Sequence, residues 1–396
     1  MLDTNQATLT EVVETLAPLE RRAGSEAEHQ AAEWIAERIE RAGTPARVEE
    51  EWFYPGYARE LLPLGAAGFA AGALAINGRR RALATVIGAA AAAAIADDAS
   101  NGTRFWRKLL GRRKQTWNVV ATAGDEAAAR TLVVLAHHDA APTGRMFDPT
   151  FQRWLARRFP ELIQRSDTSP GLWWPVVGGP ALAAVGALTG SRAIARAGAT
   201  LSALTVALGF DIARDRIVPG ANDNLSAVAA LVAIAERLNR EPVEGIRVLL
   251  VSCGAEEVLQ GGIYGFADRH FPTLARDRTW FLNLDTIGSP ELIMLEGEGC
   301  FVIEDYPSPQ FRDVIARAAE RTTGPLRRGV RSRASTDSVI PSRAGYPIAT
   351  LASWEPDTKL LSNYHLMSDT PENLDYDTVA RAATVAYAVA EDLAQV

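Results

Sequence analysis

Histidine and cysteine are both scarce in this chain: five of the first and two of the second among 396 residues. The two cysteines, Cys253 and Cys300, cannot build a disulfide framework. That leaves hydrophobic packing to hold the fold and suits a reducing compartment. A basic excess is missing as well. A formal net charge of −7 offers no attractive field to a phosphate backbone, and no surface pattern of basic and aromatic residues is visible, so nucleic acid is excluded as a partner. Disorder is excluded by 47% hydrophobic against 22% charged residues. The first stretch, MLDTNQATLTEVVETLAPLE, lacks both a basic n-region and an apolar h-region. No cleaved leader is expected, and a cytoplasmic N-terminus is the default.

What is present reads as an α/β chain. Residues 25–43 hold Ser25 and Glu28 at capping-box spacing, then Ala31, Trp34, Ile35 and Ile39 at helical spacing, with Gly43 as a stop. His29, in the first turn, is expected on the surface. Four short apolar runs, at 131–136, 246–252, 279–284 and 347–353, predict buried parallel strands. Helices are expected at about 225–239 and 376–394 to cover the sheet. In such sheets ligands bind beyond the carboxyl ends of the strands. LAHHDA (135–140), SCGAEE (252–257) and LNLDTIG (282–288) each place His, Asp or Glu there.

Two tracts stand apart. Residues 61–96 and 171–210 each consist of two apolar segments joined by a short arginine-bearing turn, the pattern of a helical hairpin. The segments are short and Ala/Gly-rich against the ~20 residues needed to cross a bilayer core. Their flanks favour a membrane. RFWRKLLGRRK (104–114) and Trp173-Trp174 resemble interfacial belts, and Gly68/Gly72 and Gly186/Gly190 have the GxxxG spacing of close-packed helices in lipid. The competing reading is a soluble bundle that lids the site or makes a dimer contact. In lipid, each hairpin would return to its starting side. More basic residues lie in the flanks than at the tips, which places the remaining domain on the cytoplasmic face.

Taken singly, the polar motifs are weak. Glu256-Glu257 could be a solvated pair, Asp223 a helix cap, Asp285 an Asx turn and His365 a loop histidine. Taken together, His137, Asp223, Glu256, Glu257, Asp285 and His365 all fall at element ends. Two imidazoles and three or four carboxylates match a dinuclear zinc site in which one carboxylate is shared.

At these residues the chain resembles the M28 co-catalytic zinc exopeptidases. The resemblance runs through NVVA (118–121), AHHD (136–139), GANDN (220–224), AEE (255–257), NLDTIG (283–288) and YHLMSDTPENLD (364–375). It implies two Zn2+ ions per chain, with Asp223 shared, His137 and Asp285 on one ion and Glu257 and His365 on the other. Glu256 would be the general base and acid, Asp139 would orient His137, and Tyr364 would help stabilise an oxyanion. It implies a peptide or aminoacyl substrate and an aminopeptidase activity. Departures are visible. The 86 residues from His137 to Asp223 are far more than such enzymes carry, and Leu259 stands where relatives often have glycine. The apolar tracts account for the excess length. The expected organisation is therefore one discontinuous exopeptidase domain (1–60, 115–145 and 215–396) with hairpin insertions at 61–114 and 146–214. Two further functions remain open: a single-zinc glutaminyl cyclase-like enzyme, and a non-catalytic membrane scaffold that keeps the fold. Oligomeric state is left open. Bland roles are expected for Cys253 (beside the site, its pKa raised by neighbouring carboxylates), for His270 (surface) and for Arg327, Arg328, Arg331 and Arg333 (solvated).

Overall fold

The four apolar runs form strands at the heart of a nine-stranded mixed sheet, each within one residue of its expected bounds. The computed structural model of the chain describes residues 6–56 and 58–395. The strands are β1 (Ala46–Phe53), β2 (Lys114–Gly124), β3 (Thr131–His137), β4 (Arg247–Cys253), β5 (Thr279–Leu284), β6 (Glu291–Glu298), β7 (Glu304–Asp305), β8 (Arg327–Ser332) and β9 (Ile348–Trp354). Their order is β1-β2-β4-β3-β5-β9-β6-β7, with β8 beside β6. The central strands β4, β3, β5 and β9 run parallel. Antiparallel pairs flank them on both sides.

The helices are α1 (Gln6–Leu16), α2 (Glu26–Arg41), α3 (Ala58–Ile76), α4 (Arg81–Ala99), α5 (Phe105–Leu110), α6 (Thr150–Arg158), α7 (Pro160–Arg165), α8 (Trp173–Thr189), α9 (Arg192–Arg214), α10 (Ser226–Arg240), α11 (Gly261–His270), α12 (Pro309–Thr322), α13 (Val339–Arg343) and α14 (Tyr376–Ala394). Strand side chains alternate between two cores, as a period of two requires. Leu132, Val134 and Ala136 of β3 pack with α1, α2, α10, α12 and α14, while Val133 and Leu135 pack with α11 on the other face. The connection from β3 to β4 runs through α10 and that from β4 to β5 through α11, so successive crossovers lie on opposite faces. β3 is therefore a topological switch point, and a crevice opens at its carboxyl end.

Both apolar tracts are helical hairpins, and they pack on one another: α3 touches α4, α8 and α9, and α8 touches α4 and α9. Small residues permit the close approach. A Cβ on Gly198 would lie 2.3 Å from the Ala183 nitrogen, and one on Gly72 would lie 2.7 Å from the Ala199 Cβ. Gly68 is likewise packed against the opposite hairpin, Gly186 is packed against α9 of its own hairpin, and Gly190 faces the Arg81 guanidinium. It ends α8 in the left-handed conformation at φ 75°. Three of the helices (α3, α4, α9) are long and apolar enough to cross a membrane by length and composition, whereas α8 has only 17 residues.

Several local expectations change. In the 104–114 segment, Lys108, Arg112, Arg113 and Lys114 are exposed, as a belt would be, but Arg104 and Arg107 are buried. Arg107 pairs with the equally buried Asp98 at 2.6 Å, which removes it from any interface. His29 is half-buried and stacks on Trp117. His270 is mostly buried and hydrogen-bonds Glu49 at 2.8 Å. Three of the four arginines are ion-paired, Arg327 with Asp167, Arg328 with Glu296 and Asp313, and Arg331 with Asp305.

Candidate metal centre

Parallel strands end together, so residues at their carboxyl ends meet. His137 is the last residue of β3 and is paired in register with Cys253, the last of β4. Beyond Cys253 the chain turns through Ala255, Leu259 and Gln260, all left-handed (φ 53°, 69° and 60°), and this turn presents Glu256 and Glu257. Leu259 thus adopts the conformation that glycine takes most readily. Asp285 follows β5 directly. Asp223 lies in the irregular turn Ala221–Leu225 ahead of α10. His365 comes from the loop before α14.

The two turns bearing carboxylates are bolted together. Asn222 Oδ1 accepts from Gly288 N at 2.7 Å, and Asn224 Oδ1 accepts from Thr286 N at 3.0 Å. These asparagines therefore bond across the site rather than locally. Asp369, deeply buried, accepts from the Asn222 and Asp223 amides at 2.7 and 3.1 Å and holds the Asp223 turn from behind.

The structure brings all six core residues to one place. His137 Nε2 lies 3.2 Å from Asp223 Oδ1, while His365 Nε2 lies 3.3 Å from Asp223 Oδ2 and 3.2 Å from Glu257 Oε2. Ligand atoms of His137, Asp223 and Asp285 lie within 4.8 Å of one another, and so do those of Asp223, Glu257 and His365. Asp223 belongs to both groups. Both ring nitrogens of His365 and Oε1 of Glu257 are buried and lack hydrogen-bond partners in the protein. Atoms that crowd together without pairing are what a shared cation requires, and imidazole with carboxylate is a donor set zinc accepts. The residues present fit such an ion.

Asp139 does two things. Its Oδ1 faces His137 Nδ1 at 3.4 Å, which leaves Nε2 for the cluster. Its two oxygens also accept the amides of Glu256 and Glu257, at 2.9 and 3.1 Å. His138 points to the opposite side of the strand and bonds Ser252 Oγ at 2.9 Å. Burial holds its pKa down at about 3, so it stays neutral. Burial of Glu256, with Asp337 and Glu257 nearby, pushes its carboxyl well above the usual range despite His137. Burial opposes the charging of His365, but Glu257 and Asp223 outweigh it and raise it to about 10. The excess of carboxylates over imidazoles is a further reason for the site to attract a cation. The Tyr364 ring stacks on His365, with centroids 3.9 Å apart.

Four neighbours of the cluster were given no part in it by the sequence. Glu28 is wholly buried and does not close its capping box. Instead it accepts from Gly24 N, Thr116 Oγ1 and Ala255 N, each at 2.8 Å, and so anchors the Glu256 turn. Asp337 is buried beside the site against the Cys253 thiol, and burial raises it to about 8. The Cys253 thiol is raised well above its ordinary value by burial and then by Asp337, ahead of the neighbouring carboxylates. Asp369 and Gln260 complete the set. A cavity of about 220 Å³ opens over the cluster, with Met146, Phe147 and Leu172 on one wall and Ile293, Leu295 and Trp354 on another.

The family model Peptidase family M28 matches residues 190–390, just over half of the chain. His137 and Asp139 lie outside that stretch, and the fold brings them to it. No curated protein matches the chain. Among solved structures it is similar to an aminopeptidase from Aneurinibacillus sp. strain AM-1, at 14% identity and a TM-score of 0.55, over 98% of this chain and 93% of that one. It is also similar to a Zn-dependent exopeptidase from Parabacteroides distasonis, at 14% identity and 0.56, over 98% and 99%. A glutaminyl cyclase from Tannerella forsythia is similar too, at 15% identity and 0.57, again over 98% and 99%. Likenesses at such identities establish the fold alone. With the sheet, the cluster at its strand ends and the family match in agreement, the chain belongs to peptidase family M28 and carries its metallopeptidase-type fold.

Proposed function

We propose that the chain is a two-zinc exopeptidase, an aminopeptidase acting on peptide or aminoacyl amide bonds. The observation that carries this reading is the position of Asp223, whose two oxygens face His137 on one side and His365 on the other. His137, Asp223 and Asp285 would hold one zinc, and Asp223, Glu257 and His365 would hold the second. Zinc held there supplies Lewis acidity, which polarises a carbonyl and lowers the pKa of water. Glu256 takes the proton of the attacking water and delivers it to the leaving amine. Asp139 holds His137 and the Glu256–Glu257 backbone in register. Tyr364, which lines the cavity, is assigned to the developing oxyanion.

Glu256→Gln tests the mechanism. The variant should retain its zinc by elemental analysis and lose hydrolysis of an aminoacyl p-nitroanilide by at least ~100-fold. Hydrolysis at the wild-type rate would sink the mechanism. The similarity to a glutaminyl cyclase supports a second reading, in which a single zinc suffices. One zinc per chain, with cyclisation of an N-terminal glutaminyl peptide and no peptidase activity, would select it.

The proposed location is a membrane, with the catalytic domain on the cytoplasmic side. The bundle's outer surface supports this: Phe69, Val86, Val185, Leu188, Leu204 and Phe210 are exposed apolar residues. No charge interrupts residues 61–76, 82–96, 173–189 or 197–210, and charges cluster at both ends of the bundle. Lipid would cover this surface.

A further inference from the structure

The turn that carries Glu256 is held from outside the catalytic domain. Val258, Leu259 and Gln260 are gripped in order by Arg107, Arg104 and Asn101, all from the segment that follows α4. Arg107 donates to the Val258 carbonyl at 2.9 Å and is locked by both oxygens of Asp98, at 2.6 and 2.7 Å. Arg104 donates to the Leu259 carbonyl and lies over the Tyr264 ring. Asn101 Nδ2 donates to Gln260 Oε1 at 2.8 Å. Gln260 Nε2 in turn donates to Glu256 Oε1 at 2.8 Å and to the Ser335 carbonyl at 2.9 Å. Asn101 and Gln260 are 6% and 1% exposed, so water does not compete for these bonds.

The direction of the chain of bonds is dictated at its ends. A backbone carbonyl only accepts, so Gln260 must turn its NH2 toward Ser335, and the same NH2 then meets Glu256. Its oxygen then faces Asn101, which must donate. The Tyr264 hydroxyl donates to Asn101 Oδ1 at 3.3 Å and completes the order. Arg343 pins the Ser100 and Asn101 carbonyls at 2.7 and 2.9 Å.

We infer that Asn101 and Gln260 are positioning residues, through which the end of helix α4 sets the orientation of Glu256. The helical bundle and the proton-transfer group are thereby mechanically linked. The inference rests on the reading of Glu256 as that group. A catalytic carboxylate displaced by ~1 Å can cost on the order of 100-fold in rate.

The test compares Gln260→Leu, Asn101→Asp and the double variant with Glu256→Gln, in the full zinc-loaded chain with leucyl-p-nitroanilide. Gln260→Leu removes the donor to Glu256. Asn101→Asp keeps a residue that tolerates the left-handed backbone (φ 53°) but can only accept. It draws the Gln260 NH2 to itself and turns the Gln260 oxygen toward Glu256. Each single variant should lower kcat by about 10- to 100-fold, with KM and zinc content changed by less than about twofold. The double variant should be no worse than Gln260→Leu alone, because both act through one link. Amide hydrogen exchange over residues 255–262 should quicken in Asn101→Asp, a readout that needs no turnover. Single variants with wild-type kcat, or effects that multiply in the double, overturn the inference when Glu256→Gln is inactive. If Glu256→Gln hydrolyses normally, or the wild-type chain hydrolyses no aminoacyl amide, the reading of Glu256 falls first and this inference with it.

Discussion

His137 and His138 are chemically identical neighbours that the strand sends to opposite faces, and their surroundings then separate them. His137 meets three carboxylates, whereas His138 meets a serine and a sealed core. His137→Ala should therefore lose bound zinc by elemental analysis. His138→Ala should keep it, at a cost of roughly 1–3 kcal/mol in unfolding free energy. Buried Glu298, which is not itself one of the cluster residues, offers a pH test. Burial raises its carboxyl from 4.5 to about 8. Between those values the folded state holds a proton that the unfolded chain releases. Its contribution to stability is complete below about 4.5 and is lost as pH rises through about 8. Glu298→Gln, which mimics the protonated form, should be more stable than wild type at pH 8–9 by on the order of a few kcal/mol in unfolding free energy, and the gap should close toward pH 5. An equal gap at both pH values would refute the assignment. The residues of the cluster were legible because their chemistry is scarce and their spacing ordered. Glu28, Asp337, Asp369 and Gln260 were not. Glu28, for instance, meets Ala255 across 227 residues, and no local pattern records that contact.

At the scale of elements, the four apolar strands and the helices expected at 225–239 and 376–394 were legible within about a residue, because continuous apolar runs and helical periodicity report burial directly. Turns were less so. The spacing of Ser25 and Glu28 predicts a reciprocal cap, but the Glu28 carboxylate finds three better donors in the folded chain. RFWRKLLGRRK reads as an interfacial belt, yet Arg104 and Arg107 leave it to hold backbone carbonyls. Composition cannot separate an arginine facing lipid headgroups from one clamping a loop. The bundle helices yield a sharper expectation. Gly198 has no room for a side chain against the Ala183 backbone. Gly198→Val should force α8 and α9 apart and destabilise the chain by about 1–3 kcal/mol or more, read as a lowered Tm. An unchanged Tm would mean that these helices do not pack this closely.

For the whole molecule, the decisive feature is that the two hairpins form one bundle although 73 residues lie between Ala99 and Trp173 in the chain. A single marginal span is a weak anchor, but four helices packed through glycine and alanine present one apolar exterior. The full chain expressed in cells should stay with the membrane pellet through an alkaline carbonate wash. Release into the supernatant would favour the soluble bundle.

The sequence by itself determined the class of fold, the strands that end at the site, the two hairpins and the residues with metal-binding chemistry. All of these follow from local periodicity or from residue type. Only the tertiary structure decided that Asp223 stands between the two histidines, that Glu28 and Asp369 hold the turns, and that the segment after α4 grips the turn of Glu256. Those contacts join positions far apart in the chain. They are selected by packing the whole molecule, and hydrogen-bond direction and burial, which give them their effect, exist only once it has folded.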